Sequence, residues 1–277
     1  MMKNIQSITS AANPLIRLTN AIVHTHRRAA KEGLFIVEGL RLAEMAAASD
    51  WGIRHALVTE RAMEGARTRA LVDALIEQGV PVAVITEKLF SSLAETDSPQ
   101  GILLVMERCR ENTLQMLCRN RRTDEEPLYI ALDRVQDPGN VGTILRTADA
   151  VQASGIILLR GCADVYSGKV VRATMGSLFH VPFVDGVAAD ALIRFAKDEG
   201  LGLLAAACDA GAQTLFDADL RRPMIIVFGN EANGVSEEFL RVAAHIYIPM
   251  RGHAGSLNVS AAATALLYEA LRQRFYS

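Results

Sequence analysis

Residues 128–132, 155–159, 202–206, 224–228 and 246–250 are five short, almost uninterrupted apolar runs, with longer segments of mixed character between them. A strand with one wet face alternates apolar and polar side chains, whereas a strand apolar on both faces has to be covered on both. Five such strands separated by helix-length segments restrict the chain to an α/β fold with a largely parallel sheet and helices on both sides. Neither G-x-G-x-x-G nor G-x-x-x-x-G-K-[ST] occurs, so a dinucleotide site and a P-loop both lose their usual support.

Polar residues cluster just past three of these runs, at the strand ends where open α/β sheets bind ligands. The first run leads into DRVQDPGNVGTILRTADA, the fourth into GNEANGVSEEF and the fifth into RGHAGSLNVSAAATALLYE. In the last of these, Gly252 and Gly255 let the backbone approach a ligand, and Asn258 suits the N-cap of a helix starting at Val259. Ser260, Ala261, Ala262, Ala263 and Ala265 leave room for close packing on that helix. Each candidate also has a purely local reading. Asn140 after Pro138-Gly139 suits a helix N-cap, Glu231 and Asn233 suit a turn, and Ser256 and Asn258 suit caps. Arg146, inside an apolar helical stretch, can reach for solvent or pair with Asp149.

The first 110 residues read as a smaller α/β unit. Asn13 and Pro14 start a helix over 13–26, with Leu15, Leu18 and Ile22 on one face. A buried strand in GLFIVEG (33–39), helices over 40–48 and 67–78, and strands over 55–58, 82–85 and 101–106 follow. Between 107 and 127 the pattern gives way to charge, so 111–126 is expected to be a linker and 127–277 a second domain. At 277 residues the chain has room for both.

A net charge of −2 argues against binding nucleic acid by bulk electrostatics. The distribution is uneven, however: up to Arg122 there are 16 Lys and Arg against 13 Asp and Glu, and beyond it 13 against 18. Basic residues gather in a turn expected after the first helix, at Arg27, Arg28 and Lys31, and again at Arg108, Arg110, Arg119, Arg121 and Arg122. Such runs also occur as solvated faces. Cys109, Cys118, Cys162 and Cys208 have no metal-ligand or disulfide-framework spacing. No apolar run reaches the roughly 18 residues of a membrane span, and the N-terminal MMKNIQSITS lacks the build of a signal peptide, so a cytoplasmic protein is expected.

Taken together, N-x-G-x-x-x-R at Asn140, Gly142 and Arg146, G-N-E at 229–231 and S-L-N at 256–258 resemble the three signature motifs of the SpoU (TrmH-type) RNA ribose 2'-O-methyltransferases of the SPOUT class. The stretch 13–44, with its helix, basic turn and EGLFIVEGLRL, is similar to that family's N-terminal substrate-binding domain, which shares the fold of ribosomal protein L30e and contacts RNA.

The resemblance implies a trefoil-knotted C-terminal SPOUT domain beside a smaller L30e-like α/β domain. It implies S-adenosylmethionine bound in the knot by backbone groups at Gly229, Ile248 and Leu257, with Ala205 and Ala206 as neighbours. Asn140, Arg146, Glu231, Ser256 and Asn258 become the polar catalytic group, and Lys169 and Arg172 in SGKVVRATMGSLF line the RNA side. Arg146 is assigned there to the 2'-hydroxyl; because a guanidinium stays protonated, it suits orientation by charged hydrogen bonds better than proton abstraction. The expected substrate is RNA, ribosomal rather than transfer RNA, handled by a homodimer joined through the C-terminal domain. The alternatives are a non-catalytic RNA-binding or ribosome-assembly protein on the same fold, and transfer RNA as the substrate.

Overall fold

The structure, a computed structural model, describes residues 5–109, 113–119, 125–209 and 211–276. Arg110, Arg121 and Arg122 of the basic runs, and parts of the expected linker, lie outside the described residues. The chain forms two compact units, Met1–Arg110 with Tyr166–Phe179, and Glu111–Val165 with His180–Ser277.

The first unit is built from β1 (Gln6–Ile8), α1 (Pro14–His24), α2 (His26–Glu32), β2 (Leu34–Glu38), α3 (Leu40–Ala47), β3 (Ile53–Thr59), α4 (Glu60–Met63), α5 (Ala66–Glu77), β4 (Val82–Ile85), α6 (Glu87–Leu93) and β5 (Ile102–Glu107). Its sheet runs β1-β4-β3-β5-β2, with β5 antiparallel to both neighbours and the other pairs parallel. Asn13 starts α1 by accepting the Leu15 amide at 2.9 Å, with Pro14 in the first turn. Ile16 and Ile22 carry α1 into the core, while Leu15 and Leu18 pack at its margin. The stretch expected as a basic turn is helical: extended Thr25 ends α1, and α2 then carries Arg27, Arg28 and Lys31. No glycine or proline between Pro14 and Gly33 announces that break.

The second unit runs α7 (Leu114–Arg119), β6 (Leu128–Asp133), α8 (Pro138–Ala150) and β7 (Gly155–Leu159). The chain then enters the first unit through α9 (Gly168–Ala173) and a 3-10 turn (Ser177–Phe179). Ring packing holds that excursion to the first unit: Tyr166 lies 5.2 Å from Phe35, Phe179 lies 5.6 Å from Trp51, and the Arg108 guanidinium sits 4.5 Å over the Tyr166 ring. Afterwards come β8 (Phe183–Val187), α10 (Ala189–Asp198), β9 (Gly202–Ala206), β10 (Gln213–Thr214), β11 (Met224–Gly229), α11 (Glu237–Leu240), β12 (Ala244–Tyr247) and α12 (Val259–Phe275).

The seven strands lie in the order β10-β12-β9-β11-β6-β7-β8, and every pairing is parallel. All side chains of β6, β7 and β11 are buried, as their continuous apolarity requires. Two expectations shift. The strand expected over 246–250 ends at Tyr247, the last residue paired with β10, so Ile248 and Met250 lie beyond the ladder. β8 escapes the apolar criterion because only Phe183 and Val184 of FVDGV are buried. From β6 the sheet grows outward on one side through β7 and β8; the chain then crosses over, and β11 pairs between β9 and β6. That reversal brings the C-terminal ends of β6, β9, β11 and β12 to one edge.

Candidate active site

The end of β6 is tied to the end of β11 by side-chain hydrogen bonds to the backbone. Asp133 is buried and accepts the Ser236 amide at 2.7 Å, and the Asn230 side-chain amide donates to Arg134 O at 2.8 Å. Asn230 Oδ1 in turn accepts the amides of Ala232 and Asn233 at 2.9 and 3.2 Å, which closes the G-N-E turn. Gly229 is required there: a Cβ would come within 2.1 Å of Gly234 C and Val235 N, both backbone atoms.

Asn140 is not the cap of α8. Asp137 is, accepting the Asn140 amide at 2.9 Å, which leaves the Asn140 side chain buried in the first turn and free to bond elsewhere. Its Nδ2 donates to Glu231 Oε1 at 2.9 Å and its Oδ1 accepts Asn258 Nδ2 at 3.0 Å. Asn258 caps α12, accepting the amides of Ser260 and Ala261 at 2.9 and 3.4 Å and the Ser260 hydroxyl at 2.6 Å. One residue from each of the three motifs therefore joins a single relay, Glu231 to Asn140 to Asn258 to the first turn of α12. Partial burial opposes the charge on Glu231, but hydrogen bonds from Asn140 and from backbone amides, Glu231, Asp137 and Gln136 among them, outweigh it and hold the carboxyl below its ordinary value. A bond of 3.0 Å between the hydroxyls of Thr147 and Thr264 continues the junction of α8 with α12.

Beside the relay, at the ends of β9 and β12, lies a cleft of about 240 Å³ lined by Ala206, Tyr247, Ile248, Ser256, Leu257 and Leu266, among others. Its walls are mostly apolar, and none of the backbone groups from Ile248 to Leu257 pairs with another backbone group among the described residues. Amides and carbonyls in that state need an outside partner, whether water or ligand. Of the residues assigned to the cofactor, Ala206, Ile248 and Leu257 line the cleft, as does Ser256. Ala205 and Gly229 are buried at the neighbouring strand ends and do not line it.

Arg146 stands apart. It is exposed on α8 and makes no hydrogen bond or ion pair among the described residues, with Asp149 or with the relay. Six residues along a helix amount to roughly 9 Å of rise and 240° of rotation, so Arg146 points away from Asn140. Arg27, Arg28 and Lys31 are exposed on α2, where Arg28 pairs with Glu32 at 2.6 Å. Lys169 and Arg172 sit on α9, where Arg172 pairs with Glu95 at 2.7 Å. Asp133, Asp137 and Asn230 escaped the sequence reading as supporting residues; Asp137 before Pro138 was the one legible signal, an N-cap followed by a first-turn proline. Among the described residues no group of three or more His, Cys, Asp or Glu is placed to hold a metal, and no helix is long and apolar enough to cross a membrane.

An all-parallel sheet that gathers an apolar cleft, a tight turn and an amide relay at its strand ends defines an α/β ligand-binding domain. The chain belongs to the SpoU rRNA methylase family: that family's model matches residues 127–268, and a model described as the MRM3-like substrate binding domain matches residues 13–104. It is 32% identical to a 23S rRNA (guanosine(2553)-2'-O)-methyltransferase of Bacillus subtilis, across 95% of this chain and 98% of that protein. It is 30% identical to a 23S rRNA (uridine(2479)-2'-O)-methyltransferase of Streptomyces viridochromogenes, across 96% and 92%. The crystal structure of an AdoMet-bound rRNA methyltransferase from Sinorhizobium meliloti superposes with a TM-score of 0.85 at 32% identity, covering 99% of both chains.

Proposed function

We propose that this protein transfers a methyl group from S-adenosylmethionine to a ribose 2'-hydroxyl of ribosomal RNA. The observation that carries the reading is the relay through Asn140, which joins all three motifs beside an apolar cleft. The cleft fits the cofactor on its own terms: apolar side chains suit the adenosine ring, and the unpaired backbone groups from Ile248 to Leu257 suit its polar edges. When bound, S-adenosylmethionine supplies a sulfonium methyl to the attacking 2'-oxygen.

The chain's own residues hold and orient the partners. Ala206, Ile248 and Leu257 form the cofactor wall, with Ala205 and Gly229 setting the strand ends behind it. Glu231, Asn140 and Asn258 fix the loops that meet the ribose, and Ser256 offers its hydroxyl at the cleft. Exposed Arg146 holds the substrate through a phosphate or the 2'-hydroxyl itself. Arg27, Arg28, Lys31, Lys169 and Arg172 take RNA phosphates on the first unit. Residues 1–110 select the RNA, 127–277 carry the chemistry, and 111–126 link them.

Three finer features belong to the same reading. The C-terminal segment threads an earlier loop as a trefoil knot, consistent with the small residues of the 252–255 loop and the first turns of α12. Two copies pair through α8 and α12; Ala261, Tyr268 and Phe275 repeat every seven residues along α12, and the latter two are each 50% exposed. The protein works in the cytoplasm. Isothermal titration with S-adenosylmethionine, mapping of 2'-O-methyl positions in ribosomal and transfer RNA from cells with and without the protein, and sedimentation test these points. No cofactor binding would favour a non-catalytic RNA-binding role, a lost mark in transfer RNA alone would correct the substrate, and a monomer at micromolar concentration would remove the dimer.

A further inference from the structure

A second cleft, of about 410 Å³, lies wholly within the first unit and is lined by His24, Glu95, Ser167, Gly168, Lys169 and Arg172, with Val23 and Ala94. Two of its cations come from α9, at a three-residue spacing that places them on one face. One of the two is already engaged: Arg172 Nη1 lies 2.7 Å from Glu95 Oε2. That carboxylate rests directly on the α9 backbone, because a Cβ on Gly168 would fall 1.8 Å from Glu95 Oε2. Behind it the backbone is anchored by buried Glu38, whose carboxylate accepts the Glu95 amide at 2.9 Å and also the Thr96 hydroxyl. The Glu95 side chain is itself 30% exposed above that fixed base. Ser167 Oγ, on the same wall, is buried with no hydrogen-bond partner among the described residues.

We propose that this cleft is a binding site for a backbone phosphate of the RNA substrate, and that the Glu95 carboxylate occupies it until RNA displaces it. Resting on the RNA reading above, this inference names the contact and adds a competitor. A phosphodiester offers Arg172 the acceptor geometry that Glu95 offers, adds a second anionic oxygen for Lys169, and gives the Ser167 hydroxyl an acceptor. An acidic side chain on the same arginine weakens non-specific polyanion binding, since any RNA must first replace it. The resident ion pair is partly exposed and of modest strength, so a well-placed phosphate can displace it.

The test uses the full-length protein, a ribosomal RNA fragment that it binds, and salt titrations. Glu95→Gln should tighten RNA binding about two- to fivefold, the strength of a partly exposed ion pair. The slope of log affinity against log salt should stay near the parent's, because Arg172 neutralises the same phosphate in both complexes once Glu95 has been displaced. In an Arg172→Ala background the Glu95→Gln gain should vanish. Inorganic phosphate at millimolar concentration should compete more strongly against Glu95→Gln than against the parent if phosphate alone suffices; if only RNA binds, competition stays equal while the gain in RNA affinity remains. Unchanged or weaker RNA binding by Glu95→Gln, or a gain that persists without Arg172, overturns the proposal and leaves Glu95–Arg172 a structural pair. Failure of the parent itself to bind ribosomal RNA overturns the broader functional reading together with it.

Discussion

Asn258 donates its side-chain amide to Asn140 Oδ1 at 3.0 Å across 118 positions of sequence, and the polarity of that bond is dictated at both ends. The Glu231 carboxylate can only accept, so Asn140 has to turn its Nδ2 toward it and its Oδ1 toward Asn258. Asn258 must then present Nδ2 to Asn140, which leaves its Oδ1 for the amides of Ser260 and Ala261. A charge at one end and the free amides of a helix at the other therefore set the orientation of two amides that diffraction alone seldom distinguishes.

Two substitutions at Asn258 separate capping from the relay. Asn258→Asp keeps an acceptor for α12 but removes the donor to Asn140 and sets a carboxylate against its oxygen. Thermal stability should stay near the parent while single-turnover methylation falls by at least about tenfold, equivalent to roughly 1.4 kcal/mol. Asn258→Ala removes the cap as well, at a cost of about 1 kcal/mol. Calorimetry should record that as a fall of roughly 2–4 °C. Parental activity in Asn258→Asp would reduce the relay to a structural brace.

At Gly229 the expected effect is steric. A methyl group 2.1 Å from two backbone atoms cannot be absorbed by a rotamer change, so Gly229→Ala has to push back the turn that carries Glu231. Overpacking of this kind costs about 1–3 kcal/mol. The midpoint of unfolding should drop and S-adenosylmethionine should bind more weakly in titration; parental values for both would mean the turn has slack that the close approach conceals.

How much of this was legible beforehand differs between fold and site. Continuous apolarity exposed five strands and hence the parallel α/β layers, but β8 was invisible because Asp185 and Gly186 interrupt its run and only its first half is buried. The exchange of Tyr166–Phe179 into the first unit rests on Phe35, Trp51 and Tyr166, aromatic residues too far apart in sequence to form a pattern. At the candidate site, motif order singled out Asn140, Glu231 and Asn258, yet the bonds joining them are long-range and have no local signature. The local reading of Asn140 as a cap failed because Asp137 already supplies that acceptor; the same reading of Asn258 held, and the residue does both.

His55 should give the first unit an acid-sensitive stability. The Thr19 hydroxyl donates to Leu15 O at 2.8 Å, so it can only accept from His55 Nε2 at 2.9 Å; the ring is neutral, and its buried Nδ1 has no hydrogen-bond partner among the described residues. Burial, and then the charge of Arg54, push its pKa down to about 4. The unfolded chain takes up this proton near the ordinary value of about 6.5, before the folded protein does. Stability is therefore full above pH 6.5 and declines as pH falls toward 4, by up to about 3 kcal/mol from this residue. Trp51, the chain's single tryptophan, reports unfolding of this unit, and denaturation at pH 7.0, 5.5 and 4.5 should show a steeper loss for the parent than for His55→Gln. Parallel losses would assign the acid sensitivity to carboxylates instead.

Arg146 is the residue whose removal should most damage chemistry while sparing cofactor binding. Its exposure and its lack of any ion pair among the described residues, Asp149 included, leave its five donors available to substrate. Arg146→Ala should lower turnover by about tenfold for each 1.4 kcal/mol of lost transition-state interaction, with product-inhibitor affinity within a few-fold of the parent. Because the side chain is exposed and makes no hydrogen bond or ion pair among the described residues, thermal stability should barely change. Arg146→Lys then distinguishes the roles open to a cation at this position. Lysine keeps the charge and, with an ordinary pKa near 10.4, surrenders a proton more readily than a guanidinium, so a true proton acceptor would tolerate it. A residue that orients a phosphate or hydroxyl through a planar fork would not, and poor tolerance is the expected result. Methylation by Arg146→Ala at the parental single-turnover rate would remove Arg146 from the reaction altogether, leaving substrate positioning to the relay of Glu231, Asn140 and Asn258.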